Sequence, residues 1–176
     1  KKTYQLLNAL RYFLTSKHKK GFGIHSPFLF KLITKCFNKK LKYGKYYKAV
    51  NFYKQLLKDD TKFIYYPHGT NKTKTTETKI SRITKGSSVG LKYGRLLYNI
   101  SEYFASEETL ELGTSLGVST AFLSAGSKNV TTVEGCPNTI AIAKSYHEKF
   151  DFNNICYINS TIEDYLESDE FKRSSP

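Results

Sequence analysis

Two glycines, Gly113 and Gly117, follow directly on a short apolar run from Glu108 to Leu112. With no side chains there, the backbone can turn sharply and come within contact distance of a bound nucleoside or its tail. Glu111 stands at the exit of that run. Glu134 ends the next apolar run, 21 residues beyond Gly113, and a carboxylate so placed can accept both hydroxyls of a ribose. The glycine pair alone is a weak signal, because Gly-x-x-x-Gly is common and a dinucleotide fold uses a related loop. Loop, acid and spacing together point to a ligand that carries a nucleoside. The five-residue loop and the lack of an Arg close to Glu134 count against a phosphate-bearing dinucleotide.

A repeated pattern of strand, turn and helix must position these residues. Glu108 to Leu112 reads as a strand, 113–117 as a turn, and Val118 to Ala125 as a helix apolar enough to pack on a sheet. Val130 to Glu134 is a second strand, and Pro137 opens a helix that runs to Phe150. Ile155 to Ile158 is a third strand, and Thr161 to Leu166 a short helix. This order predicts right-handed crossovers and a parallel sheet that binds its ligand at the carboxyl ends of the strands.

Upstream the chain reads as helical. Leu6, Leu7, Leu10, Phe13 and Leu14 form one apolar stripe. Ser26 is placed to cap a helix that opens with Pro27 and buries Phe28, Leu29, Leu32, Ile33, Cys36 and Phe37. A third helix, about Tyr46 to Lys58, carries Val50, Tyr53, Leu56 and Leu57. Phe63 to Tyr66 reads as a short extended piece, and Asn71 to Lys79, lacking apolar periodicity, as a mobile loop. Leu96, Leu97, Ile100, Tyr103 and Phe104 define one more amphipathic helix. The expected fold class is α/β: a basic helical extension over 1–90, then over 91–176 the first half of a Rossmann-like doubly wound parallel sheet.

The 176 residues, 39% of them apolar, suffice for one domain with a real core. No stretch approaches 18 apolar residues, so stable membrane insertion is not expected. Cys36, Cys136 and Cys156 are far apart and odd in number; they show no paired metal spacing and fit a reducing cytoplasm, as does a start without a secretory leader. The net charge of +13 is lopsided. Residues 1–100 hold 23 Lys and Arg against three acids, whereas 101–176 hold five against twelve. A basic module that steers RNA, DNA or a lipid surface is one reading. Solvated lysine faces are the stronger one, because only four of the basic residues are Arg, and Arg forks are what read phosphate.

The other reactive side chains have plainer readings. His25, beside Ser26 and Pro27, is a helix-start or packing residue, while His68 and His147 are surface or satisfied histidines. Cys136 has no basic partner in sequence, which argues against a nucleophile. The abundant Tyr and Phe mostly follow helical spacing and belong to the core.

The run Leu110-Glu111-Leu112-Gly113-Thr114-Ser115-Leu116-Gly117-Val118-Ser119-Thr120, followed by Val133-Glu134-Gly135-Cys136-Pro137, resembles the first two motifs of class I S-adenosylmethionine-dependent methyltransferases, closest to the small-molecule O-methyltransferase branch. Gly23-Ile24-His25-Ser26-Pro27-Phe28 and Lys92-Tyr93-Gly94-Arg95-Leu96-Leu97-Tyr98 are similar to the N-terminal extension of a bacterial, Bacteroidetes-type subgroup. The resemblance implies S-adenosylmethionine as cofactor. Glu111 and Gly113 would border its methionine portion, with Thr114 and Gly117 in the same loop, and Ser115 and Ser119 would lie near the methionine carboxylate. Glu134 would hold the ribose, flanked by Gly135 and Cys136, and Ser160 and Thr161 would face adenine. Asn159 is only a loose counterpart of an acid often found there, and Tyr66-Pro67-His68-Gly69-Thr70 departs from the Gly/Ser-rich acidic turn of relatives.

A complete sheet of this family has seven strands, and this chain reaches three, so a fragment of a longer protein is expected. The fourth strand would bring the acid-rich segment that supplies a catalytic base or metal ligands; no catalytic or metal-binding residue is named here. The function implied is transfer of a methyl group to an O or N of a small-molecule acceptor. The alternatives are an RNA-binding protein or RNA methyltransferase docking through its basic N-terminal region, and a catalytically inactive nucleotide-binding module.

Overall fold

Ser26 and Pro27 set the first helix whose bounds are described. The structure is a computed structural model, and it describes residues 5, 8, 11, 25–37, 44–66, 75–104 and 107–174. By packing, the chain divides into Lys1–Lys40 and Leu41–Pro176. In the first unit, Pro27 occupies the opening turn of α1 (Pro27–Lys31), and the Ser26 hydroxyl accepts from the Leu29 N–H at 3.4 Å, as its cap position requires. The helix then widens into a π-helical turn, Leu32–Phe37. The expected buried face is corrected here. Only Cys36 is buried, whereas Phe28 is 57% and Phe37 50% exposed, because π-helical winding takes residues spaced for a 3.6-residue turn off a common stripe. The stripe Leu6, Leu7, Leu10, Phe13 and Leu14 lies outside the described residues, as do 17–23 and 67–74.

The second unit runs α2 (Lys45–Leu56), β1 (Lys62–Tyr65), β2 (Thr76–Lys79), α3 (Ile80–Ser87), α4 (Leu91–Phe104), β3 (Glu108–Leu112), α5 (Val118–Gly126), β4 (Asn129–Glu134), α6 (Pro137–Lys149), β5 (Ile155–Asn159), α7 (Ile162–Glu167) and α8 (Asp169–Ser174). Strands β3, β4 and β5 form a parallel sheet in that order, with Glu111 opposite Thr132, Thr132 opposite Tyr157 and Glu134 opposite Asn159. Strand parity therefore lines Glu111, Thr132 and Tyr157 across one face. Leu110 and Leu112, on the other face of β3, are exposed. No described helix is long and apolar enough to cross a membrane.

The core joins segments that composition had set apart. Tyr46, Ala49, Val50, Phe52 and Leu56 of α2 cluster with Tyr98 of α4 and with Leu116, Val118, Ala121 and Phe122 at the sheet. Two further corrections concern local structure. Residues 76–79, read as loop, form β2, paired antiparallel to β1 with Ile64 opposite Glu77 and an ion pair from Lys62 to Glu77 at 2.9 Å. In α4 the buried positions are Gly94, Tyr98, Asn99 and Ser101 rather than the Leu and Ile stripe.

Small residues take that face because α4 meets α5 at close range: a Cβ on Gly94 would lie 2.3 Å from the Phe122 ring, and one on Gly126 would lie 2.8 Å from Ser101 Cβ. Gly94→Ala therefore overpacks this contact despite its better helix propensity. The expected loss is about 1–2 kcal/mol, seen as a lower urea midpoint with an unchanged slope.

Candidate functional site

The apolar run of β3 ends where two backbone N–H groups cross to the neighbouring strand. Gly113 and Thr114 N–H both donate to the Val133 carbonyl, at 2.9 and 3.2 Å. The chain then turns through three left-handed residues, Gly113 at φ +96°, Ser115 at +48° and Gly117 at +76°, before α5 begins. Glycine suits two of these positions for different reasons. A Cβ on Gly113 would meet nothing within 4 Å, so this stretch of backbone faces open space, whereas one on Gly117 would lie 2.3 Å from His147 Cε1.

Below the loop is a buried polar chain. Thr132 Oγ1 donates to Glu111 Oε2 at 2.7 Å, the Thr120 hydroxyl donates to the same oxygen, and Thr114 and Thr132 hydroxyls lie 2.6 Å apart. Since the Thr132 proton is directed at Glu111, Thr114 is the donor in that last pair. Burial pushes the Glu111 carboxyl up, hydrogen bonds from Ser119, Thr120 and Thr132 pull it back, and the charge of Glu134 raises it again. Two carboxylates thus converge on one loop, which suits a cationic ligand.

Glu134, at the carboxyl end of β4, is half-buried. Its Oε2 accepts from the Ser115 N–H at 2.7 Å and its Oε1 from the Cys136 N–H at 2.8 Å. An ionised carboxylate has about four acceptor positions, so both oxygens can take a further donor while the backbone holds them still. Gly135 is half-buried beside it, and Cys136 is fully buried. At the end of β5, the Ser160 N–H and the Asn159 side-chain amide both donate to the Glu134 carbonyl, at 3.2 and 2.7 Å. Thr161 caps α7, its hydroxyl accepting from Asp164 N–H at 3.1 Å. The loop, Glu111, Ser119, Glu134, Gly135 and Cys136 therefore form one neighbourhood, with Ser160 attached through backbone and Thr161 engaged as a cap.

Sequence reasoning gave His147 no part in the loop. It is fully buried, stacked on Phe52 with ring centroids 4.7 Å apart and planes at 12°. Its Nε2 lies 2.8 Å from the Gly117 carbonyl and its Nδ1 2.7 Å from the Tyr157 hydroxyl. A carbonyl can only accept, so Nε2 carries the proton and Nδ1 accepts from Tyr157. Burial drives the imidazole down to about 4, against the raising effect of the Gly117 bond. Of the two readings, surface or satisfied, the ring is the satisfied one and not a surface group, and it braces the loop. Thr120 and Thr132 were also missed; the two-residue alternation that puts Thr132 on the face of Glu134 was the available signal. Tyr65 of β1 is a further neighbour, its phenol pushed up by burial and then by the charge of Glu134.

No protein-family profile matches the chain, and no curated protein matches it in sequence. Solved structures match its fold. An O-methyltransferase from Bacillus cereus in complex with SAH superposes with a TM-score of 0.50 at 17% identity, over 77% of this chain and 51% of that one. An SAH-bound methyltransferase from Podospora anserina gives 0.51 at 13% identity, over 83% and 54%. Over the matched residues the chain shares the fold of these two proteins, and it spans about half of their length.

Proposed function

We propose that this chain is the S-adenosylmethionine-binding part of a cytoplasmic methyltransferase of the Bacteroidetes-type subgroup, transferring a methyl group to an O or N of a small-molecule acceptor. The observation that carries the reading is the Glu134 carboxylate, held at the end of β4 by the Ser115 and Cys136 N–H groups with acceptor positions to spare for the two hydroxyls of a ribose. The open space over Gly113 and the paired negative charge of Glu111 and Glu134 fit the rest of the ligand, whose sulfonium and ammonium groups are cationic. The description of both matched structures as SAH-bound supports the same ligand.

In this reading Glu111 and Gly113 border the methionine ammonium, while Thr114, Ser115, Gly117 and Ser119 line the loop and first helical turn near its carboxylate. Glu134, Gly135 and Cys136 hold the ribose, and Ser160 and Thr161 border adenine. When bound, the cofactor supplies an electrophilic methyl group. The chain's own residues fix its sugar and tail so that the methyl points at the acceptor, and such positioning accounts for a large share of the barrier lowering in an in-line displacement. Titration calorimetry with S-adenosylhomocysteine tests the reading. A Kd in the micromolar range, about −7 to −8 kcal/mol, is expected, and absence of heat up to millimolar ligand would overturn it.

A further inference from the structure

We infer that Tyr65, carried on the β1–β2 hairpin, is a nucleoside contact that closes the sugar side of the Glu134 pocket; the inference rests on the cofactor reading above. Two anchors lay the hairpin's first strand along α6. Toward the C-terminal end of the helix the Tyr146 hydroxyl donates to the Asp59 carboxylate, just before β1 begins. Toward its N-terminal end the Asn138 side-chain amide donates to the Ile64 carbonyl at 2.7 Å.

The lengths agree. Eight residues of helix from 138 to 146 span about 12 Å, and the five residues from 59 to 64, of which 62–64 belong to β1, reach at most about 16 Å, enough to run the length of the helix. Between the anchors Phe63 packs against the core. The next residue after Ile64 is therefore delivered to the N-terminus of α6, where Cys136 caps the helix and Glu134 ends β4.

Tyr65 is half-buried there, its ring edge-on to Phe63 with centroids 6.4 Å apart, and it feels the charge of Glu134. Among the described residues its hydroxyl makes no hydrogen bond. A hairpin that served only to cover α6 would have no need of an aromatic residue beside the carboxylate. A flat ring at that place offers an apolar wall to the ribose and purine, and its hydroxyl offers a polar tip.

The test is calorimetry with S-adenosylhomocysteine on the full chain and on Tyr65→Ala, Tyr65→Phe and Glu134→Ala. Tyr65→Ala is expected to weaken binding about 10-fold and Tyr65→Phe no more than about 3-fold, with the unfolding midpoint of the ligand-free protein unchanged. As a second measurement, ligand should slow hydrogen exchange at the amides of 62–65 and 76–79 in the unmodified protein. Should Tyr65→Ala lower the midpoint, Tyr65→Leu replaces it and the exchange result decides. Wild-type affinity in Tyr65→Ala alongside loss in Glu134→Ala overturns the role of Tyr65 and leaves the cofactor reading standing. No affinity in the unmodified protein overturns both.

Discussion

Glu134→Ala is expected to reduce affinity for S-adenosylhomocysteine by at least about 100-fold. A charged acceptor shared by two ribose hydroxyls contributes about 1.5–3 kcal/mol for each hydrogen bond, and losing both comes to about 3 kcal/mol or more. The same change removes the partner of the Ser115 and Cys136 N–H groups. Ser115 sits at φ +48°, a conformation that a non-glycine residue holds only when its surroundings enforce it, so the loop loses a restraint along with the ligand. Glu134→Gln keeps one oxygen and discards the charge, and its loss should be intermediate, about 10-fold. Calorimetry on the three proteins gives the order. Equal affinity in Glu134→Ala and the unmodified chain would remove the site from this part of the molecule.

The second large effect is on stability, through His147. Its replacement by Ala leaves the Gly117 carbonyl and the Tyr157 hydroxyl without their buried partner and opens a void against Phe52. Both are costly, and a loss of about 3–4 kcal/mol is expected, enough to unfold a marginal domain.

The titration of the ring supplies an independent readout. Its pKa lies at about 4 in the folded chain and near the ordinary value of about 6.5 when unfolded. Above pH 6.5 the ring is neutral in both states and its contribution is complete. Between 6.5 and 4 only the unfolded chain takes up the proton, so stability falls as pH falls, by about 3 kcal/mol over the window. Glu111 has the opposite sign: its folded pKa is raised, so just above its unfolded value the folded chain holds the extra proton and stability falls as pH rises. Comparing urea unfolding of the unmodified chain with His147→Gln at pH 7.5 and 4.5 isolates the histidine. The acid-side loss should shrink in the variant, and equal slopes would show that this ring does not carry the effect.

How much of this was legible beforehand differs along the chain for physical reasons. From Glu108 to Glu167 each element announces itself locally. Short Thr- and Val-rich runs stop at glycines, Pro137 opens α6, and the helices carry their own start and stop residues, so the boundaries at β3, α5, β4, α6 and β5 fall within a residue or two of expectation. The N-terminal part was misread where structure depends on a partner. Residues 76–79, Thr-Glu-Thr-Lys, have no strand periodicity and become β2 by pairing with β1. The face of α4 turns on how closely α5 approaches it, which Gly94 and Gly126 permit and hydrophobic spacing does not reveal.

The amino-acid sequence by itself determined the glycine-bounded turn, the acids before and beyond it, and the order of strands and helices, because all of these follow from contacts between residues close in the chain. Tertiary structure alone decided that Glu111 lies beneath the loop in a threonine cage, that His147 reaches across from α6 to hold Gly117, and that a hairpin from far upstream sets Tyr65 beside Glu134. Those relations are made by groups 9 to about 70 residues apart, brought together by a common core, and no local pattern encodes a distance of that kind.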